Sequence, residues 1–325
     1  MTENPLQGIY PLNWDEYIGQ DMAKAQLKAA IMSATIRDTR LPHILIAAEA
    51  GQGKTAIAQL VAQDMGCQMR VVTGKMNAAQ VRMILAELAD KDILLLDEIH
   101  GIVQGGKANG EWALHLLENG SIMGPMGLEK QPDITIIGAT TDVGKLPDTI
   151  IDRFGVKPNF VPYTDDEATQ IAHVLALKIF DNSVPVPAPG EANCAHIALL
   201  ADRNPRLMRG LMENLRDSAV AGKGKTFDPK THEYDMSEVL RWNGLTEDGL
   251  TDEAVRYMIA LKRAFAGGAG STALKEALNA PGGLRRTELL LGRRGFIART
   301  KQGRVLTAAG IQRTLLLERE GVTTV

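Results

Sequence analysis

HILIAAEAGQGKTAIAQLVAQDMG, residues 43 to 66, decides the fold of this 325-residue chain. His43 to Ala47 is a short apolar run of the kind a strand buried on both faces shows, and TAIAQLVAQDMG has helical periodicity that stops at Gly66. Between them, AEAGQGKT (Ala48 to Thr55) matches the phosphate-binding loop, with alanine where the first glycine normally stands. In such a loop the later glycines let backbone N–H groups curl around a β-phosphate at a helix N-terminus. The lysine bridges the β- and γ-phosphates and the hydroxyl binds Mg²⁺. Strand before and helix after is the context this chemistry needs. Gly51, Gln52, Gly53, Lys54, Thr55 and Ala56 are therefore expected to hold ATP, with Ala48 tolerated as a small residue.

Further apolar runs follow at RVVTG from Arg70, DILLLDE from Asp92 and DITIIGATT from Asp133, separated by helix-like stretches such as AAQVRMILAELAD and EWALHLLENG. Strands alternating with helices argue an α/β fold with a parallel sheet covered on both faces. A helix on Met22, Leu27, Ile31 and Ala34 precedes the first strand. Asp97 and Glu98 close the ILLL strand and so emerge at the carboxyl edge of the sheet, where open α/β sheets bind ligands. There Asp97 would hold Mg²⁺ through water and Glu98 would orient the attacking water; capping of the next turn is the alternative. His100 completes a DEIH string that imitates a helicase box, and with no companion helicase motif it reads as structural.

From Asp165 to Val220 the pattern is wholly helical, divided by the Pro-rich SVPVPAPG, and AGKGKTFDPKTHEYD reads as a connection. The expected division is a large domain over 1–162, a helical domain over 163–222, a linker over 223–247 and a terminal module over 248–325. That module begins with a helix capped by Thr251 and Asp252, continues as short helices, and ends in a hairpin around the Lys301 to Gly303 turn, the pattern of a winged helix. Residues 250 to 325 carry 13 Lys plus Arg against 6 Asp plus Glu, whereas the rest carries 23 against 33. A basic terminal module suits a polyanion, because each neutralised phosphate releases counterions. No apolar run approaches the roughly 20 residues of a membrane span. Two cysteines are too few for a disulfide framework or a zinc site, and the N-terminus lacks secretory features, so a reduced cytoplasmic protein is expected.

DEYIGQ (15–20), GQGKT (51–55), LLLDEIH (94–100), IGATT (137–141), DRFG (152–155), NPRL (204–207) and RGFIARTKQGRVLT (294–307) occur in an order that resembles the RuvB family, Holliday-junction branch-migration motors of the AAA+ superfamily. The resemblance spans nearly the whole chain. It implies an ATP- and Mg²⁺-dependent motor that assembles as a ring, expected to be hexameric, and pulls on duplex or branched DNA. By the same resemblance Thr141 is the polar sensor beside the γ-phosphate, Arg153 the arginine finger that enters a neighbouring subunit's site, and Arg206 the second sensor. Arg153 could instead pair with a local acid such as Asp152. Tyr17, Ile18 and Pro205 look like the adenine pocket, with core packing an equal alternative for each. Arg299, Lys301 and Arg304 are expected to hold the DNA backbone without reading sequence.

Three positions depart from the family pattern: Ile151 replaces an arginine near DRFG, Gly101 follows DEIH, and the stretch between Glu118 and Asp133 is short. In the family a long hairpin at that place docks on the junction-binding partner RuvA. The shortened SIMGPMGLEKQP keeps a turn at Gly124, Pro125 and Gly127 and an apolar set of Ile122, Met123, Met126 and Leu128. A standard RuvA partner is therefore not expected; a different adaptor, or autonomous action on DNA, is. A switch that loads a helicase or clamp onto DNA would use the same ATP-site residues and remains the second reading.

Overall fold

The computed structural model describes residues 11–74, 76–104, 107–181, 183–222, 226–265, 268–280 and 283–319. Its regular elements begin with α1 (Asp21–Arg37), β1 (Ile44–Ala47), α2 (Lys54–Met65), β2 (Met69–Thr73), α3 (Ala78–Leu85) and β3 (Ile93–Asp97). They continue with α4 (Ile99–Gln104), α5 (Lys107–Asn119), β4 (Ser121–Gly124), β5 (Gly127–Lys130), β6 (Thr135–Thr140), α6 (Asp148–Ile151) and α7 (Asp165–Ile179). All four strands expected from the apolar runs are present and pair in parallel, in the order β1-β6-β3-β2. Val156 and Asn159 add single parallel bridges to the outer side of β1, a rudimentary fifth position.

The alternation of side chains along the strands explains why helices cover both faces. Ile44 and Ile46 enter one core with Leu27, Ile57 and Leu60 from α1 and α2, and Leu45 enters the other with Leu85, Trp112 and Leu116 from α3 and α5. β6 is buried at every residue, as a central strand must be. In α1 the inward positions are Ala23, Leu27, Ile31 and Ala34, whereas Met22 is 80% exposed, which corrects the expected face by one residue at its start. Gly66 ends α2 in the left-handed conformation, with its N–H reaching back to the last turn.

β4 and β5 form a ten-residue hairpin between α5 and β6. Of its four apolar residues Ile122 folds fully into the core, while Met123, Met126 and Leu128 stay exposed.

The chain divides into two compact units, Met1–Asp181 with Arg203–Arg209, and Asn182–Asp202 with Gly210–Val325. This differs from the boundary expected near residue 163: α7 joins the first unit, where Lys178 on α7 forms a 2.9 Å ion pair with Glu16. The second unit holds α8 (Glu191–Leu200), most of α9 (Pro205–Ala221), β7 (Phe227–Asp228), β8 (Glu233–Tyr234), α10 (Ser237–Asn243), α11 (Asp252–Ala264), α12 (Ser271–Ala277), α13 (Arg285–Arg293), β9 (Ile297–Thr300), β10 (Gly303–Leu306) and α14 (Ala308–Arg319). The expected linker is in fact ordered over its described part. Asn193 of α8 donates to the Tyr234 carbonyl at 3.0 Å and accepts the Tyr234 N–H at 2.6 Å, so an amide side chain takes the place of a strand neighbour. Residues 223–225 of that linker lie outside the described residues.

The terminal module forms as expected. Thr251 caps α11 by accepting the Ala254 N–H, and β9 pairs with β10 across the Lys301–Gln302 turn. Ala269 adds an antiparallel bridge to Arg304, completing the winged-helix pattern of three helices and a small sheet, and α14 follows the wing.

Candidate functional site

The carboxyl ends of β1, β6 and β3 lie side by side, and the phosphate-binding loop leaves the first of them. Ala48 extends the ladder, its N–H bonded to the Thr140 carbonyl at 3.1 Å, and it is absent from the non-glycine residues with positive φ. Alanine is tolerated there because the backbone stays out of the left-handed region that favours glycine. The two later glycines are required by geometry. Gly51 has φ +84°, and a Cβ there would lie 2.2 Å from Asn204 Oδ1. Gly53 has φ +81°, and its Cβ would meet the Tyr17 hydroxyl at 2.7 Å.

A cavity of about 350 Å³ opens beside the loop. Gly51, Gly53, Lys54, Thr55, Ala56, Asp97 and Glu98 line its polar end, while Tyr17, Ile18, Ile171, Val174, Leu175 and Pro205 line an apolar region, with Arg206 and Arg209 also on the wall. A polar cradle with an apolar slot suits a nucleotide. Tyr17 is buried, 4% exposed, with its hydroxyl 3.4 Å from the Gln52 and Gly53 carbonyls, and it also lines the cavity. Burial pushes the Tyr17 hydroxyl well above its ordinary pKa, so it acts as a neutral donor. Gln52, by contrast, is buried and does not line the cavity.

Lys54 starts α2 and donates from Nζ to the Ala48 and Glu49 carbonyls at 2.8 and 3.0 Å. Burial lowers its pKa and Arg206 adds to that, while Glu98, Asp97 and Glu49 oppose it. These three carboxylates favour the ammonium that a phosphate would meet. Thr55 and Asp97 supply a hydroxyl and a carboxylate to the same wall. Among the described residues no cluster of three or more His, Cys, Asp or Glu could cage a metal ion. That donor set fits Mg²⁺, which needs few protein ligands when phosphates supply the rest.

Glu98 has φ +51° and follows directly on β3. Its Oε2 accepts from the Thr141 hydroxyl at 3.0 Å and lies 3.2 Å from His100 Nδ1, which is itself 2.9 Å from Thr140 Oγ1. Thr141 therefore reaches the site through Glu98 rather than by lining the cavity. His100, read from sequence as structural, stands in direct contact with the Glu98 carboxylate.

Arg153 does not line the cavity of its own chain. Its guanidinium is half exposed and bonds Glu118 of α5 at 2.5 Å, so the expected local acid partner exists but is Glu118 rather than Asp152. Sequence reasoning missed Arg209, although its spacing of three from Arg206 places both on one helical face. It also missed Asn204, whose Nδ2 donates to the Ala50 carbonyl at 2.6 Å while its Oδ1 accepts the Arg206 N–H. Asn204 thus ties the first turn of α9 to the phosphate loop.

In the second unit Arg299 and Lys301 are exposed on the wing. Arg304 is not a free cation: its side chain is 21% exposed and bonds the buried Glu288 at 2.9 Å. Its guanidinium is engaged with a buried carboxylate, which sets it apart from the exposed Lys301. Arg293 and Arg294 are likewise engaged, with Asp202 and the Leu199 carbonyl. Arg285 and Arg286 at the start of α13 are exposed, and among the described residues their side chains make no hydrogen bond or ion pair.

Residues 9–160 match the family described as the Holliday junction DNA helicase RuvB P-loop domain. The chain is 32% identical to the Holliday junction branch migration complex subunit RuvB of Kosmotoga olearia, covering 94% of this chain and 89% of that one. With the corresponding Campylobacter fetus subunit it is 30% identical, over 92% and 87%. The solved Thermotoga maritima RuvB Holliday junction branch migration motor superposes with a TM-score of 0.75 at 25% identity, covering 94% of this chain and 98% of that structure.

Proposed function

We propose, from the premise that this chain belongs to the RuvB family, as its match to curated members over 94% of its length establishes, that it is an ATP-driven motor moving duplex DNA through a Holliday junction. It is an AAA+ ATP hydrolase. The observation that carries the mechanism is the convergence of Lys54, Thr55, Asp97, Glu98 and Arg206 on one cavity.

In this reading the loop amides, Lys54 and Arg206 hold the phosphates, and Ile18, Leu175 and Pro205 receive the adenine. Thr55 and Asp97 would hold Mg²⁺, whose chemistry is to neutralise charge between the β- and γ-phosphates. Glu98 orients the water that attacks the γ-phosphorus, and Thr141 fixes Glu98 by its 3.0 Å bond. Negative charge grows on the oxygens where the γ-phosphoryl group departs and must be met by added positive charge. Arg153, half exposed and outside its own cavity, supplies it to a neighbouring copy after leaving Glu118. Hydrolysis is thereby coupled to assembly in a ring, of six copies by the family pattern.

The wing contributes Arg299 and Lys301 to the DNA backbone, and the exposed Arg285 and Arg286 extend that basic surface. The exposed Met123, Met126 and Leu128 of the β4–β5 hairpin offer an adaptor contact, to a dedicated partner rather than a standard RuvA. No helix of the described residues is long and apolar enough to cross a membrane. Phosphate release measured with and without duplex and four-way DNA tests the reading: junction-stimulated turnover that Glu98→Gln abolishes supports it. A nucleotide-dependent DNA complex without stimulated turnover would instead favour a loading switch.

A further inference from the structure

We propose that His100 is a positioning residue for ATP hydrolysis, holding its Nδ1–H against Glu98 so that one carboxylate oxygen is fixed and the other is left for the attacking water. The proposal rests on the reading of Glu98 as the water-orienting base.

Two hydrogen bonds and one close imidazole contact define the geometry. Glu98 Oε2 accepts from the Thr141 hydroxyl at 3.0 Å and from the Thr141 amide at 3.4 Å and lies 3.2 Å from His100 Nδ1, whereas among the described residues none donates to Oε1. The carboxylate is therefore held on one side only.

The tautomer of His100 follows from its neighbours. An ionised carboxylate only accepts hydrogen bonds, so a lone pair on Nδ1 would face the lone pairs of Oε2. A proton on Nδ1, hydrogen-bonded to Thr140 Oγ1, converts that repulsion into an attraction for Glu98 Oε2 at 3.2 Å. Thr140 is fully buried at the end of β6, and its Oγ1 accepts the Asp142 N–H at 3.1 Å, so the ring is anchored against a fixed point. His100 is 17% exposed. Glu98 itself sits at φ +51°, a backbone conformation that non-glycine residues adopt rarely and that persists only where surroundings fix it. The Glu98 to His100 contact spans the junction between β3 and α4 and supplies part of that constraint.

Asparagine and glutamine substitutions separate this role from packing. An Asn Nδ2 can take the place of the imidazole Nδ1 donor, while the Gln amide reaches the region of Nε2 instead. The test compares steady-state ATP turnover of the full chain on four-way DNA for wild type, Glu98→Gln, His100→Asn, His100→Gln and His100→Leu, with melting temperature and fluorescent-nucleotide affinity measured for each. Losing one hydrogen bond to a charged group corresponds to about a 10- to 100-fold effect. His100→Gln and His100→Leu are expected to lower kcat by that factor with KM for ATP changed less than about twofold. His100→Asn is expected to recover most of the loss.

If His100→Leu does not fold, the contrast between Asn and Gln carries the decision. Wild-type turnover in His100→Gln, or equal loss in folded His100→Asn and His100→Gln, would overturn the proposal while leaving Glu98 in place. Wild-type turnover in Glu98→Gln would overturn the assignment of Glu98, and this proposal with it.

Discussion

Replacing Arg304 by Met should destabilise the second unit before it affects DNA. Glu288 has 5% side-chain exposure and three neighbours: Arg304 at 2.9 Å, Arg299 at 3.3 Å and the Tyr257 hydroxyl at 3.3 Å. Arg299 is 71% exposed, so its contribution is screened by water and small. Arg304 therefore carries most of the compensation for a buried charge. Breaking a buried pair by removing one partner costs about 3–5 kcal/mol, and the remaining Arg299 and Tyr257 contacts reduce this to about 2–3 kcal/mol here. At roughly 4 °C per kcal/mol, the transition of this unit should fall by about 8–12 °C in a thermal melt. Adding Glu288→Gln removes the stranded charge and should recover more than half of the loss. Lys301→Ala, by contrast, should leave the melt unchanged and weaken duplex binding at every sequence, reducing the salt slope by about one. An Arg304→Met protein that melts with the wild type yet loses duplex affinity as Lys301→Ala does would refute the buried-pair reasoning.

Lys54→Ala should lose nucleotide binding or turnover, whereas Glu98→Gln should bind ATP, stall and accumulate assembled rings on a sizing column; fast turnover by Glu98→Gln would contradict its assignment. Mixed rings of Arg153→Ala and Lys54→Ala subunits should regain part of the activity each lacks alone, because some interfaces then join an intact site to an intact finger; no recovery in verified mixtures would argue against action in trans. Acid should weaken the first unit through His43, whose Nδ1 accepts the Ile136 N–H and whose pKa is lowered to about 4, first by burial and then by the charge of Arg40. The neutral ring is favoured when folded, so this stability is complete above the unfolded pKa near 6.5 and is lost, by up to about 3 kcal/mol, as pH falls towards 4; urea midpoints should show that slope, and His43→Asn should flatten it.

Elements whose signal is local were legible in the sequence. The strands around Leu45, Leu94 and Ile137 are buried on both faces, so their apolar runs mark them directly, and Gly51 and Gly53 are fixed by a loop conformation that the motif itself encodes. Features that depend on partners far along the chain were not. His100 meets Thr140 forty residues later, Asn204 meets Ala50 across 154 residues, and Arg304 is claimed by Glu288 on a different element. Charge alone marks Arg304 as a phosphate ligand because the pattern does not show that a buried acid waits for it. The polar stretch before α10 read as a linker for a related reason: Tyr234 is held by the side chain of Asn193, which leaves no hydrophobic periodicity to detect.

The central claim is that hydrolysis at the Lys54 and Glu98 site drives DNA through a junction. It is tested most directly by following labelled arms of a mobile four-way junction during incubation with the chain, Mg²⁺ and ATP, with and without candidate adaptors. The account predicts ATP-dependent conversion of the junction to two duplexes, absent with a non-hydrolysable analogue and with Glu98→Gln. Robust junction-stimulated ATP turnover with stationary arms under every condition would contradict it.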